Sequence, residues 1–505
     1  MASIFGHGLS MLKEMLAAGY FGVSKAMDSY YAALTIPDSI NSIIFSPFTL
    51  IFIPIFIKYK LEDKEAANRL VSTIANFILI VLLGASVLVF TFAAQLIKYA
   101  SPGLDAETAL TAVKMLRIIS FSMFFGGAVN VLTGILNALE NFLWPAVSGT
   151  FITLSTIFFI LGFADKWGIS VVGWGLLVGT VLQAMFLIPF AGKYGFKHYN
   201  TLDLGHPEIK KALNLVLILL IMSVLSSLNS VINRFLASWL PVGSIAALAY
   251  AGKLVQIPSI IFSSSIAAAI YPFLAAQAAE NKIEDIKHTV SMSIRMSGFI
   301  FIPLAVMLMV LARPAIQFLF QRGAFDAAAT DLTSKIFMLL SLQLFSGYAL
   351  VILMRLLFAF QDLMVMLKIM VVNVILNLAM SFVLIKLFNP PACGIALSTS
   401  LGSFVTAILY FLVLKKRISN LHGVAIFKSL SRITAFSLVS GLTAFLVYRG
   451  MSGASHGTLP EQLMALAAAF CAGSLVFILI SSAFKLEEFQ KVYLLVKTKF
   501  SRART

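Results

Sequence analysis

The sequence predicts an all-α polytopic membrane protein with about fourteen transmembrane helices, and three observations support this fold class. Hydrophobic residues make up 60% of the 505 residues and only 11% are charged, whereas about a quarter of a water-soluble domain is charged. Apolar runs of membrane-spanning length recur along the whole chain. Parts of the first half also recur in the second half at a fixed offset. These features exclude a soluble globular protein and a disordered chain.

The apolar runs approach the roughly 20 residues that a helix needs to cross the hydrocarbon core. They cover residues 5–24, 42–57, 73–97, 115–137, 146–163, 170–190, 213–232, 257–278, 297–312, 334–357, 364–387, 394–414, 427–448 and 462–484. Lys13 and Glu14 interrupt the first run, which also lacks the basic start and unbroken apolar stretch of a cleavable signal peptide. No segment between the runs is long enough for a soluble domain, so any activity must take place within the membrane.

Basic residues concentrate in alternate loops, which predicts the orientation of the spans. The loops after the second, sixth, twelfth and last spans hold Lys58, Lys60, Lys64 and Arg69; Lys193, Lys197, Lys210 and Lys211; Lys415, Lys416 and Arg417; and Lys485, Lys491, Lys497, Lys499, Arg502 and Arg504. The loops after the third and ninth spans, with Lys98 and Arg313, depart from this pattern. The balance places both termini in the cytoplasm. It also explains the excess of 37 basic over 21 acidic residues without nucleic-acid binding.

Signatures of soluble enzymes are absent from the sequence. It has no phosphate-binding loop and no zinc-ligand spacing, and its six histidines are scattered. Cys393 and Cys471 both lie in apolar runs, where we expect them to be packing residues. The sequence therefore predicts a protein that is not an enzyme and that uses no cofactor and no metal.

An internal repeat relates the two halves of the chain at an offset of 221 residues. The matching pairs are Ile36-Pro37 with Ile257-Pro258, Ala138–Asn141 with Ala359–Asp362, Gly22 with Gly243, and Gly173 with Gly394. Each copy holds about six spans, so both copies share one topology and are related by an axis along the membrane normal. Two such bundles are typical of alternating-access transporters. A duplicated scaffold without transport is the alternative.

The repeat predicts four regions along the chain. An N-terminal lobe covers residues 1–200 and holds spans 1–6, and a C-terminal lobe covers residues 201–420 and holds spans 7–12. An extra helix pair follows over residues 421–485, and a basic cytoplasmic tail ends the chain over residues 486–505.

Ionisable residues inside the spans are functional candidates, because each costs roughly 2.5–3.5 kcal/mol at the centre of a span on insertion scales. They are Lys13 and Glu14 in the first span, Asp28 and Asp38 at the start of the second, Arg234 late in the seventh and Lys253 early in the eighth. Lys13 and Arg234 are equivalent in the repeat. We predict that Lys13, Arg234 and Lys253 bind an anionic headgroup, with Asp28 and Glu14 as partners. Alternatively, Lys13 pairs with Glu14, and Arg234 extends to the membrane interface.

Two further pairs of residues have structural interpretations. Pro37 and Pro258 lie inside spans, where proline interrupts the helical hydrogen bonds, and they serve either as hinges or to shape a cavity wall. Glu140 and Asp362 lie at predicted turns, where we expect them to cap helices or to hold the lobes together.

Four segments carry a family resemblance that covers nearly the whole chain. They are Asp28-Ser-Tyr-Tyr with Ile36-Pro37, Gly134-Ile-Leu-Asn137 with Phe142 and Pro145-Ala146, Gln321-Arg-Gly-Ala-Phe325, and Arg355-Leu-Leu-Phe-Ala-Phe-Gln-Asp362. These segments resemble the MurJ (MviN) family, the lipid II flippases of the multidrug/oligosaccharidyl-lipid/polysaccharide exporter superfamily. The resemblance implies fourteen spans, two six-helix lobes and an extra helix pair that forms an apolar groove for a polyprenyl tail. Residues 427–485 fit that last part.

The resemblance also implies a cationic cavity that binds the diphosphate and sugar headgroup. Lys13 and Glu14 match the Arg-Asp pair of the family's first span, Asp28 matches an aspartate of the second span, and Lys253 matches an arginine of the eighth. The sequence departs from the family pattern at further cavity positions. His7, Asn41 and Ser42 stand in place of arginines, and Gln256 stands in place of a glutamate.

The sequence thus predicts a flippase of the bacterial inner membrane that moves a polyprenyl-diphosphate glycan by alternating access, with lipid II as the favoured cargo. The expected partners are this glycolipid, the bilayer and cell-wall synthesis proteins, and we expect a monomer to function. The membrane potential, worth about 2.3 kcal/mol per charge per 100 mV, is one candidate driving force, and the coupling ion is open. The alternatives are a drug or cation antiporter or another polysaccharide-lipid exporter of the superfamily, a glycosyltransferase or ligase, and a non-transporting assembly scaffold.

Overall fold

The computed structural model consists of helices joined by short loops and describes residues 2–203, 205, 207–419, 421–452 and 458–502. The helices are α1 (Ala2–Phe21), α2 (Lys25–Glu62), α3 (Lys64–Thr91), α4 (Ala93–Ala100), α5 (Ala106–Ala138), α6 (Leu143–Ser148), α7 (Thr150–Trp167), α8 (Ser170–Lys193), α9 (Pro207–Ser238), α10 (Ser244–Ala279), α11 (Ile283–Val310), α12 (Ala312–Phe320), α13 (Ala327–Ser341), α14 (Gln343–Ala359), α15 (Leu363–Leu387), α16 (Ala392–Ile418), α17 (Gly423–Ser452), α18 (Leu459–Ala483) and α19 (Glu487–Arg502). Within the described residues, 11 segments are long and apolar enough to cross a membrane. The other three predicted spans fall on α1, α2 and α10. The prediction of an all-α polytopic membrane protein is confirmed.

The repeat extends to the ends of helices. α5 runs from Ala106 to Ala138, and α13 and α14 together run from Ala327 to Ala359, which is the same interval moved by 221 residues. At the turn that follows, Glu140 has φ 60° and its equivalent Gln361 has φ 56°. A positive φ is uncommon outside glycine, so its presence at both positions supports the repeat.

Asp362, next to Gln361, confirms one expectation drawn from the sequence. Its side chain accepts a hydrogen bond from the Val365 N–H at 3.4 Å and so caps the start of α15. The same carboxylate also forms an ion pair with Arg417 of α16.

The structure divides into two compact units. The first consists of Met1–Ala249 with Arg322–Ala329, and the second consists of Tyr250–Gln321 with Thr330–Thr505. These units are defined by packing and not by sequence similarity. The predicted lobes, helix pair and tail, with boundaries at residues 200, 420 and 485, therefore stay predictions.

In the first unit, α5 packs against α2, α3 and α8, and α2 also packs against α9. Leu82 and Ile135 lie fully buried in the hydrophobic cluster between α3 and α5. α1 packs against α7. This arrangement brings α9 to α2, and the Tyr31 hydroxyl of α2 donates a hydrogen bond to Glu14 of α1.

A short segment from late in the sequence completes the first unit at the end of α1. The Ala324 N–H donates a hydrogen bond to the Gly19 carbonyl at 2.8 Å. Gly22 has φ 61°, and a Cβ atom on it would lie 2.3 Å from the Ala324 carbonyl oxygen. Both the positive φ and this close approach require glycine at position 22.

α7 and α8 pack with their backbones in contact, because α8 presents Gly175 and Gly179 to α7. A Cβ atom would lie 2.5 Å from the Thr156 Cα if added to Gly175, and 2.5 Å from the Ile152 Cα if added to Gly179. Small residues four apart are common where membrane helices approach this closely. The pair fixes the distance between α7 and α8.

We expect Gly179→Ala to lower the free energy of unfolding by about 1–3 kcal/mol, because the methyl group forces α8 away from Ile152. Thermal unfolding in detergent measures the change. Gly162→Ala on α7 is the matched control, since a Cβ atom there meets nothing within 4 Å. It should be neutral or stabilising by up to about 1 kcal/mol, because alanine favours the helix. Equal unfolding temperatures for both variants would contradict the close packing of α7 and α8.

In the second unit, α11 packs against α14 and α17, α15 packs against α16, and α17 packs against α18. α19 is attached to this unit by Arg295 of α11. The Arg295 Nε lies 2.5 Å from Glu488 Oε1, and its Nη2 lies 2.7 Å from Glu487 Oε2. The Ser429 hydroxyl of α17 donates to the same Glu488 oxygen at 2.7 Å. The hydrogen bond from Arg295 lowers the pKa of the exposed Glu487, whereas the Glu488 side chain is only 1% exposed.

Candidate headgroup site

Four of the five predicted headgroup residues lie in the first unit, and two of them form a direct ion pair. The Lys13 Nζ is 2.9 Å from Glu14 Oε1, and both side chains are largely buried. This pairing is the alternative to headgroup binding that the sequence allows, and the structure shows it. Removing one partner of a buried ion pair is costly, because the remaining charge stays in a region with little water.

Tyr31 of α2 links this pair to Arg234 of α9. The Tyr31 hydroxyl donates to the second oxygen of Glu14, Oε2, at 3.0 Å. The Arg234 Cζ lies 5.5 Å from the centre of the Tyr31 ring, within the range of a cation–π interaction. Sequence reasoning missed Tyr31 as a site residue, because a buried aromatic side chain on a helix usually fills the core.

Asp28 and Arg234 both bind the turn that starts α10. The Asp28 carboxylate accepts hydrogen bonds from the Gly243 N–H at 2.6 Å and from the Ala246 N–H at 2.8 Å. Arg234 donates from Nη1 to the Ile245 carbonyl at 2.9 Å. A carboxylate is favoured here because the first N–H groups of a helix have no partner within the helix. Asp28 therefore fixes the start of α10 and Arg234 holds the same turn, instead of extending away from it.

Lys13, Glu14, Asp28, Arg234 and Tyr31 thus form one cluster in the described part of the first unit. The Asp38 carboxylate also interacts electrostatically with Arg234. An anion that binds Lys13 would compete with the Glu14 carboxylate for the same ammonium group. Such an exchange needs no change in covalent structure.

The remaining predicted residues lie elsewhere on the same helices. Lys253 is half-buried on α10 in the second unit, and its joining of the cluster stays a prediction. α2 continues through Pro37 and α10 continues through Pro258, and the hinge and cavity-shaping roles also stay predictions. Among the departures from the family pattern, His7 is half-buried, whereas Ser42 and Gln256 are exposed.

Asn41, a further departure, lies inside the first unit. A Cβ atom on Gly126 of α5 would meet its Nδ2 at 3.5 Å. Its Oδ1 is buried without a hydrogen-bond partner among the described residues.

Comparison with known proteins assigns the chain to a family. Residues 17–464 match the family described as "Lipid II flippase MurJ". The chain belongs to the MurJ family. A MurJ relative from Buchnera aphidicola subsp. Acyrthosiphon pisum, named "Probable lipid II flippase MurJ", is 27% identical over 475 residues, which are 91% of this chain and 90% of the relative. The family resemblance drawn from the sequence is confirmed.

Solved structures share the fold over most of the chain. The structure "Lipid II flippase MurJ, inward closed conformation" matches with a TM-score of 0.79 and 23% identity, and covers 96% of this chain and 97% of its own. An inward-facing multidrug resistance MATE family transporter of the MOP superfamily matches with a TM-score of 0.67 and 16% identity, over 82% of this chain and 96% of its own. At these identities the likenesses show the fold alone, and they confirm the predicted superfamily architecture.

Proposed function

We propose that this protein is a flippase of the bacterial inner membrane, that both its termini lie in the cytoplasm, and that its cargo is lipid II or a closely related polyprenyl-diphosphate glycan. The observation that carries the proposal is the match of residues 17–464 to a family described as lipid II flippases. The partly buried basic residues Lys13 and Arg234 support it, because a diphosphate headgroup needs cations where water is scarce.

In the proposed cycle, Lys13 and Arg234 bind phosphate oxygens of the headgroup, and Lys253 is the third predicted ligand. A diphosphate carries about two negative charges, and its attraction to a cation is several times stronger in a site of low dielectric constant than in water. Glu14 forms its ion pair with Lys13 again when the headgroup leaves, while the hydrogen bonds of Asp28 keep the start of α10 in place. The polyprenyl tail stays in the lipid, and no bond is made or broken.

A drug or cation antiporter is less well supported. Its substrate would be a cation, and the cluster would then place Lys13 and Arg234 beside a like charge. The MATE transporter is only 16% identical to this chain, so the similarity supports a shared fold and gives no evidence about the substrate.

Complementation of a bacterial strain depleted of its own lipid II flippase tests the proposal. We expect the full-length chain to restore growth and to stop the accumulation of lipid II in the inner leaflet, whereas an empty vector should not. A protein that inserts at normal levels without restoring growth would contradict lipid II as the cargo. Protection of the purified protein against thermal unfolding by organic cations, but not by a polyprenyl diphosphate, would favour the antiporter instead.

A further inference from the structure

We propose that Tyr31 is a positioning residue: its hydroxyl holds the Glu14 carboxylate in place while Lys13 moves from Glu14 to a phosphate of the substrate. The inference rests on the proposed function and adds a residue that the resemblance did not assign. It also explains how a buried lysine that already has an anionic partner can bind a second anion.

The two oxygens of Glu14 have separate partners. Oε1 contacts the Lys13 Nζ at 2.9 Å, and Oε2 accepts from the Tyr31 hydroxyl at 3.0 Å. Lys13 can therefore leave without breaking the bond to Tyr31, because that bond uses the other oxygen. Tyr31 stands on α2, whereas Lys13 and Glu14 stand on α1, so the carboxylate is held from a neighbouring helix.

Burial makes this second bond important. Glu14 is 5% exposed and Tyr31 is 2% exposed, so water has little access to the carboxylate once Lys13 has moved. A buried carboxylate that loses its cation is strongly unfavourable unless other donors remain. A hydrogen bond from a hydroxyl to a carboxylate is among the stronger ones in proteins. The hydroxyl thus stabilises the phosphate-bound state more than the resting pair, where Lys13 is still present.

The ring of Tyr31 contacts Arg234, whereas its hydroxyl bonds Glu14, so the two contacts can be removed separately. Arg234 lies over the ring at 5.5 Å, so Tyr31 also sets the position of the second predicted phosphate ligand. Tyr31→Phe keeps the ring and its contact with Arg234 but removes the hydroxyl. It therefore removes the hydrogen bond to Glu14 without removing the ring.

The test is the affinity of the full-length protein in nanodiscs for a polyprenyl diphosphate. We expect Tyr31→Phe to raise the Kd about tenfold, which corresponds to about 1.4 kcal/mol. We expect Glu14→Gln to bind at least as tightly as the unmodified protein, because no carboxylate then competes for Lys13. In the Glu14→Gln background, Tyr31→Phe should change the Kd less than about threefold, since a neutral amide needs the hydroxyl less than a carboxylate does.

Tyr410→Phe on α16 is the matched control. It removes a buried hydroxyl that has no hydrogen-bond partner among the described residues, so the Kd should stay unchanged. Unfolding temperatures of all variants are measured beside the affinities. A purely structural role for Tyr31 would lower the unfolding temperature and leave the Kd unchanged, and this result would overturn the inference.

The remaining outcomes separate the inference from the proposed function. If the unmodified protein does not bind the polyprenyl diphosphate, the proposed function fails. If it binds and Tyr31→Phe binds equally well, the proposed function stands and the positioning role is wrong. An equal loss of affinity with Glu14 and with Gln at position 14 would also overturn the inference, because the hydroxyl would then act on another group.

Discussion

Lys13→Ala is expected to abolish translocation of the lipid-linked substrate in reconstituted vesicles, while the protein still inserts and accumulates at normal levels. The change removes a phosphate ligand and leaves Glu14, which is 5% exposed, without the ammonium group 2.9 Å away. We expect Lys253→Ala in the second unit to have the same effect. The measurement is the rate at which a fluorescent polyprenyl-diphosphate glycan reaches the opposite leaflet, with expression and insertion followed in parallel.

Two controls accompany the lysine variants. Lys13→Arg keeps the charge and supplies the residue type that the family resemblance implies at this position, so it should retain transport. Lys166→Ala removes an exposed lysine near the end of α7 and should leave the rate unchanged. Wild-type rates for both Lys13→Ala and Lys253→Ala would remove the headgroup-site assignment. A loss with Lys13→Ala alone would restrict the site to the first unit.

Arg295→Ala is expected to lower the free energy of unfolding by about 3–5 kcal/mol, because it leaves Glu488 buried without its cation. The Ser429 hydroxyl would remain the one donor seen at that carboxylate in the described residues. Denaturant unfolding of the purified protein in detergent measures the change. Limited proteolysis should also show that α19 is cleaved faster in the variant.

The control for this prediction is an ion pair of similar geometry but different burial. Arg69 and Glu65 pair at 2.8 Å with side chains that are 57% and 59% exposed, so Arg69→Ala should cost less than about 1 kcal/mol. The double change Arg295→Met with Glu488→Met should destabilise less than Arg295→Ala, since it leaves no unpaired charge. Equal stability of Arg295→Ala and the unmodified protein would show that the ion pair does not hold α19.

The helices and their order could be predicted from the sequence because length and polarity alone decide which segments cross a bilayer. The repeat was predictable for a related reason. Short matches such as Ile36-Pro37 and Ile257-Pro258 recur at one offset, and the structure carries that offset to the ends of α5 and α14. Pairing of Lys13 with Glu14 could also be considered from the sequence, because the two opposite charges are adjacent in the chain.

Contacts between distant helices were beyond the sequence. The bond from Tyr31 to Glu14 depends on how α1 and α2 are rotated about their axes, and hydropathy does not encode that rotation. Arg295 and Glu488 are 193 residues apart in the sequence. Nothing in the sequence of either helix indicates that α11 and α19 bring these two charges together. Asp28 was predicted to accompany a cation, yet its nearest donors are the backbone N–H groups of Gly243 and Ala246. A backbone N–H group is present in every residue except proline, so the sequence does not show which of them will bind a side chain.

The segment Arg322–Ala329 sets an order for the biogenesis of the protein. The first unit ends at Ala249 apart from this segment, so its last pieces leave the ribosome only after the chain from Tyr250 to Gln321 has been made. At roughly 5–20 residues per second, that interval lasts on the order of ten seconds. During this time the contacts of Gly19 and Gly22 with Ala324 cannot form. The first unit then lacks the segment that packs at the end of α1. Insertion of the first helices and completion of the first unit are therefore separate steps. A chain truncated before Arg322 would insert its helices but would lack the segment that packs against the end of α1.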